Sequence, residues 1–323
     1  MKNSDLEKTI ASLRRRPLFG QIYRLYEGEL DGILKPATIR RQQAAWRNFL
    51  SRYEAERADR ISPLGFQKAM IEPACAQGHC ATALYLARLA HSVLDFGVAI
   101  GVLDANPLRT IWQLPKVKGA EKEARRAVKH RPSFDHSRIT QEAGKLVRDF
   151  KKAGGRRWLL LQVSLRTLLR PGEVVRLRWP DLDLKRHQIV ALGTKTRAQF
   201  VIPTDARLEA ILEEAWREYG SAERGWIFRG LRDPALPLSP QTLNRALKDL
   251  GYKNRLCAHG IRALGKNWIS HNAARVPPFV SEAILQHAPG KVEQAYRRDD
   301  DYLMQRRSAM KLWWAFLDGL EEE

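Results

Sequence analysis

Most apolar positions in this chain recur at helical spacing. Between residues 36 and 57, Trp46, Phe49, Leu50 and Tyr53 fall at i, i+3, i+4 and i+7, predicting an amphipathic helix that leaves Arg40, Arg41, Arg47 and Arg52 on its other faces. Another helix is expected over 63–76. The clearest pattern follows, with Leu86, Leu89, Val93, Phe96 and Ile100 alternating three and four apart until Gly101 and Asn106-Pro107 end it. Residues 1–16 suggest a short basic helix ahead of Pro17. These elements predict a compact all-helical first domain over 17–113, after an N-terminal extension of 1–16.

The periodicity fails over 114–132. LPKVKGAEKEARRAVKHRP sets Lys116, Lys118, Lys122, Arg125, Arg126, Lys129 and Arg131 against Glu121 and Glu123, with no full apolar face. It reads as a basic linker between domains, either solvated or in contact with phosphates. A second domain then spans 133–323. Helices are expected over 139–152 and 158–169, after which the period changes to two. Residues 182–184, 189–192 and 200–202 predict three short strands of a small antiparallel sheet, with 193–196 turning between the last two. Thr204 is expected to cap a helix with Leu208, Ile211, Leu212 and Trp216 inward and Gly220 at its end. Ser239-Pro240 opens a further helix.

Near the C-terminus, Ser281 is expected to cap a short helix carrying Val280, Ile284 and Leu285, closed by Pro289-Gly290. Lys291 then opens another, with Val292, Ala295 and Tyr296 on one face. A final helix over 300–320 carries Tyr302, Leu303, Met310, Trp313, Trp314, Phe316, Leu317 and Leu320, more apolar surface than a terminal helix leaves in water, so it either packs back on its own domain or docks on another protomer. The fold class is therefore mainly α, with one small sheet in the second domain.

Charge narrows the partner. The 323 residues suit two domains, and 56 Lys and Arg against 36 Asp and Glu give a net +20, a field that favours a polyanion. Nucleic acid is the first candidate and a membrane surface the second. No apolar run is long enough to span a bilayer and the opening residues are too charged for a signal peptide, which points to a soluble cytoplasmic, nucleoid-associated protein. Three cysteines fit a reducing compartment. Cys75 and Cys80, with His79 between them, lack a second ligand pair at zinc-site spacing and read as structural.

Several polar residues stand out, each with a plainer explanation when taken alone. Arg170, followed by Pro171-Gly172 and with Glu173 three residues on, also suits a helix-terminal charge. Lys195 at a hairpin tip also serves solubility. His259 and Arg262 are spaced to share one helix face, a common spacing. His287 and Tyr296 complete the set. His271 is taken as structural.

The order R…K…HxxR…H…Y, together with LLRPGEVVRLRWPDLDL, AHGIRALGKNWI and LQHAPGKVEQAYRRDDDYLMQRR, closely resembles the tyrosine recombinase (phage integrase) superfamily, and within it the integrases of satellite phages and genomic islands. The resemblance covers about 17–320. Leu168 stands where many members have Gly, and residues 1–16 are too short for the extra N-terminal arm-binding domain usual in that subfamily, which implies a simpler site architecture. The resemblance implies a SAM-like helical core-binding domain and an integrase catalytic domain closing as a C-shaped clamp on double-stranded DNA. It implies a tetramer on paired sites, accessory DNA-bending proteins, and docking of the C-terminal helix on a neighbouring protomer.

In the chemistry so implied, Tyr296 attacks a backbone phosphorus to form a 3′-phosphotyrosine and release a 5′-hydroxyl. Arg170 and Arg262 hold the non-bridging oxygens with planar forks, so neither a metal ion nor another cofactor is called for. Lys195 protonates the leaving oxygen, His259 and His287 bond the phosphate or handle the tyrosine proton, and Glu173 braces the site. Arg40, Arg41, Arg47, Lys116, Lys118, Arg125, Arg126, Lys129 and Arg131 are the candidate DNA contacts. Alternatives are a Xer-like resolvase, a type IB topoisomerase-like enzyme, or a DNA-binding regulator with an unused site.

Overall fold

The computed structural model describes residues 17–126, 133–134, 138–193, 199–219, 225–272, 276–286 and 302–322. Contacts divide the chain into two compact units, Met1–Lys129 and His130–Glu323. The described elements are numbered in chain order.

In the first unit, α1 (Phe19–Gly28) buries Phe19, Ile22 and Tyr23. Tyr23 lies flat on Trp46 of α2 (Pro36–Asn48), ring centroids 3.7 Å apart. The single helix expected to run to residue 57 is interrupted. Phe49 leaves helical geometry and is 40% exposed, and a 3-10 turn, Leu50–Tyr53, then returns Leu50 and Tyr53 to the core. The stretch expected as a helix over 63–76 is helical throughout, but its middle five residues are π-wound: α3 (Pro63–Phe66), Gln67–Ile71, then α4 (Glu72–Ala76). Ser62 caps it, accepting from Gly65 N at 2.9 Å. The long helix α5 (Cys80–Ala99) ends at Gly101, whose φ of 71° is the left-handed geometry glycine adopts freely. Asn106 locks the exit by donating to His91 O at 3.1 Å and Asp95 Oδ1 at 2.7 Å while accepting from Leu108 N.

Two expectations change in this unit. Cys75 and Cys80 form a disulfide across the turn at Gly78 (φ 75°), so the reduced thiols inferred from cysteine count do not describe this pair. The basic stretch expected to be linker begins with a helix, α6 (Pro115–Arg126), whose Val117 and Ala120 are buried in the first unit's core. Two small residues three apart are enough to seat it, too narrow a stripe to register as a periodic face.

The second unit is built around α7 (Ile139–Ala153) and α8 (Gly155–Thr167), the latter buried from Leu159 to its end. A short α9 (Pro171–Val174) leads to β1 (Leu182–Asp183), β2 (Gln188–Leu192) and β3 (Gln199–Pro203), antiparallel in that order, with Leu192 opposite Gln199 at the hairpin end. Leu184 falls in a 3-10 turn instead of β1. The remaining helices are α10 (Ala206–Tyr219), α11 (Gln241–Asp249), α12 (Gly260–Asn272), α13 (Pro278–Ile284) and α14 (Leu303–Glu322). Asp205, one residue after the expected Thr204, caps α10 by accepting from Leu208 N at 2.9 Å. Trp216, expected inward, is 42% exposed and meets Trp179 edge-on. Ser281 lies inside α13 and donates to Pro278 O; Pro277 takes the cap position.

The apolar face of α14 is covered by its own unit. Trp313 and Trp314 are 0% and 3% exposed, and their indole N–H groups donate to Leu165 O at 2.9 Å and Arg166 O at 2.8 Å. Beneath them Arg166, fully buried, pairs with Asp205 at 2.9 Å, with Glu321 at 3.4 Å and with Asp318. The apolar excess that suggested docking on a neighbour is thus satisfied within the chain. Among the described residues no helix is long and apolar enough to cross a membrane.

Candidate phosphate-binding site

Three backbone segments of the second unit meet at two arginines. The first is the end of α8, where Leu168 takes a left-handed conformation (φ 51°), a geometry disfavoured for any residue with a Cβ. It is tolerated here because Leu168 is wholly buried and packs where Gly265 of α12 presents no side chain. Arg170 then caps α9, its backbone N–H donating to Glu173 Oε2 at 2.9 Å and its Nη1 to Glu173 Oε1 at 3.0 Å. Glu173 is 2% exposed.

The second segment is the first turn of α12, which carries Arg262. Its guanidinium is 2% exposed and spans two carbonyls, Nη1 donating to Leu168 O and Nη2 to Leu285 O. The third segment is the end of α13. Leu285 supplies that carbonyl, and Gln286, also left-handed at φ 51°, accepts from Arg170 through its backbone O at 3.2 Å and its Oε1 at 3.3 Å. Carbonyls and one buried carboxylate therefore fix both forks.

Among the described residues the electrostatics leave a surplus of positive charge. Burial, reinforced by the Arg170 charge and opposed by Glu173, pushes the Arg262 guanidinium down to about 10. Two cations share one carboxylate, and Arg262 Nε has no hydrogen-bond partner among the described residues. A buried donor without a partner beside uncompensated charge favours an anion. A tetrahedral phosphate has the oxygens to accept from both forks.

Of the residues singled out by sequence, Arg170, Glu173 and Arg262 are brought together. His259 is half-buried and immediately precedes α12, on the turn that feeds it. Lys195, His287 and Tyr296 lie outside the described residues, as does the second short helix expected from Lys291. The sequence profile of the phage integrase family matches residues 137–302, half of the chain and the whole of this site. The chain belongs to the phage integrase family.

Curated members include the prophage integrase IntA of Escherichia coli (strain K12), 31% identical over 253 residues, covering 76% of this chain and 57% of that protein. The integrase of Enterobacteria phage P4 is 23% identical over 266 residues, covering 77% and 58%. The chain thus spans less than two thirds of the length of these relatives. Among solved structures, a lambda integrase tetramer bound to a Holliday junction superposes with a TM-score of 0.64 at 15% identity, covering 86% of this chain and 76% of that one. The Tn1549 transposon integrase in complex with circular intermediate DNA gives 0.60 at 13% identity, covering 91% and 99%. This integrase-family chain therefore has the integrase fold, mainly α with a three-stranded antiparallel sheet.

Sequence reasoning missed Gln286 and the carbonyls of Leu168 and Leu285. The carbonyls carry no side-chain signature; Gln286 was signalled only by its place beside His287. On the first unit, Arg40, Arg41, Arg47, Lys116, Lys118, Arg125 and Arg126 are all exposed. Arg41 stacks over Tyr85 at 3.9 Å, and Lys116 pairs with Glu72 at 2.9 Å. Lys129 and Arg131 lie outside the described residues.

Proposed function

We propose that this chain is a site-specific DNA recombinase that cuts and rejoins double-stranded DNA through a 3′-phosphotyrosine at Tyr296. The observation that carries the reading is the convergence of Arg170 and Arg262, held by Glu173 and three carbonyls, at a site with surplus positive charge. Phosphoryl transfer depends on positioning and on stabilising charge at the equatorial oxygens, and two preorganised guanidinium groups do both. Lys195, on the connection between β2 and β3, is the general acid for the leaving 5′ oxygen. His259 and His287 bond the phosphate or take the tyrosine proton, because a phenol of pKa near 10 needs help to attack at neutral pH. The exposed arginines and lysines of the first unit contact the DNA backbone.

The names of the relatives support integration as the activity, and the DNA-bound dimers and tetramer among the similar structures support assembly of several protomers on paired sites. The working location follows from the substrate: cytoplasm, on the nucleoid. The test is a nicked suicide duplex spanning the ends of the element that carries the gene. The wild-type chain forms a covalent adduct, and Tyr296→Phe abolishes it while retaining DNA binding; an adduct that persists in the variant refutes the nucleophile. Products that join two duplexes support recombination, and relaxation of supercoils without joining supports a topoisomerase-like enzyme instead.

A further inference from the structure

Arg170 and Arg262 are held in different ways. Arg262 is 2% exposed, so packing as well as its two carbonyl bonds fixes it, whereas the Arg170 side chain is 23% exposed and depends on hydrogen bonds for its orientation. Those bonds come from two sides. Glu173 grips Nη1 from α9, and Gln286 grips Nη1 and Nη2 from the end of α13. Gln286 is left-handed, and both its carbonyl and its amide oxygen face the same guanidinium. Without the amide, Glu173 and a single carbonyl remain, and the plane of the fork is free to turn toward the carboxylate.

We propose that Gln286 is a positioning residue that sets the plane of the Arg170 guanidinium for the scissile phosphate, an inference that rests on the recombinase reading above. A neutral acceptor suits this place. Glu173 already offsets one of the two cations, and a second carboxylate would cancel the surplus charge that the phosphate needs; an amide oxygen orients the fork without that loss.

The test is the rate of adduct formation under single turnover on the same nicked duplex, with two substitutions that fail differently if the role is merely structural. Gln286→Gly removes the acceptor and relaxes the backbone at φ 51°. Gln286→Met keeps the side-chain volume beside the small cavity lined by Thr167, Ile202, Pro203, Ile284, Arg306 and Met310, and removes the amide with its acceptor oxygen. Both are expected to slow adduct formation about tenfold, the weight of one hydrogen bond to a charged group, with the Kd for the duplex within about twofold of wild type. In an Arg170→Ala background neither is expected to change the residual rate by more than about twofold, because the residue each acts through is gone.

The same fold-loss in both backgrounds overturns the proposal. So does a wild-type rate in either variant, or slowing by glycine alone, which would indicate packing. Absence of any adduct from the wild-type chain is a different result and refutes the recombinase reading itself.

Discussion

Replacing Gly265 with alanine is expected to destabilise the second unit by about 2 kcal/mol, although alanine is the better helix former. A Cβ at Gly265 would stand 2.4 Å from Leu168 Cδ2, 2.5 Å from Cδ1 and 3.0 Å from Cγ. Carbons in contact rest at roughly 3.5–4.0 Å, so one side must move by about an ångström. Leu168 has little room to yield, being 0% exposed and held at φ 51°. Overpacking of this kind costs about 1–3 kcal/mol, here near the upper end, against about 1 kcal/mol gained from helix propensity. In a Leu168→Gly background the clash is gone and only the propensity remains, so the same substitution becomes stabilising by about 1 kcal/mol. The sign reversal implies a coupling of about 3 kcal/mol across the four-member cycle. Because Leu168 O accepts from Arg262, the single Gly265→Ala variant should also slow adduct formation, and the double variant should recover part of the rate. Hydrogen exchange of amides in α8 and α12 under increasing urea reads the second unit without interference from the first. A neutral Gly265→Ala in the wild-type background, or effects additive to within about 0.5 kcal/mol, would refute the steric account.

Two further predictions concern buried charge. Arg166→Met leaves Asp205 and Asp318 without their buried cation and Glu321 with Arg207 alone, and should cost about 3 kcal/mol at neutral pH and raise the exposure of Trp313 and Trp314 to a quencher; a loss below about 1 kcal/mol would mean the network does not anchor α14. Asp149 is nearly buried. Burial alone would raise its carboxyl, but hydrogen bonds from Lys145, Lys152 and Tyr252 outweigh that and hold it well below its ordinary 3.8. A depressed folded-state pKa contributes stability that is complete above the unfolded value and lost as pH falls below it, so Asp149→Asn should be less stable at pH 7 and show a shallower acid loss below about pH 4; an unchanged acid slope in urea titrations would contradict this.

What the sequence made legible follows from what periodicity and side-chain identity can encode. The face of α5, the two-residue period of the sheet and the apolar face of α14 were readable because burial selects residue types at fixed spacing. Helix α6 was not, since Val117 and Ala120 are the two residues it fully buries and the charges around them resemble linker. The partner of α14 was hidden differently. Arg166 sits inside the apolar run from Trp158 to Leu169, where a buried charge must find carboxylates elsewhere, and those lie on α14 and at the start of α10. A charge in the most apolar stretch was the available signal that the terminal helix folds back on its own unit.

The site divides along the same line. Arg170, Glu173 and Arg262 were named because their chemistry belongs to their side chains, but what aims them is largely backbone: the carbonyls of Leu168, Leu285 and Gln286. Two of those three residues are left-handed despite carrying a Cβ, a conformation that persists only where the surroundings enforce it. Gly265 does so for Leu168 by giving its side chain space, and for Gln286 the bonds to Arg170 do so by rewarding the turned backbone. The clamp is therefore preorganised by strain held in the core around it. Changes at residues outside the site, such as the buried Gly265, should accordingly alter adduct formation as well as stability.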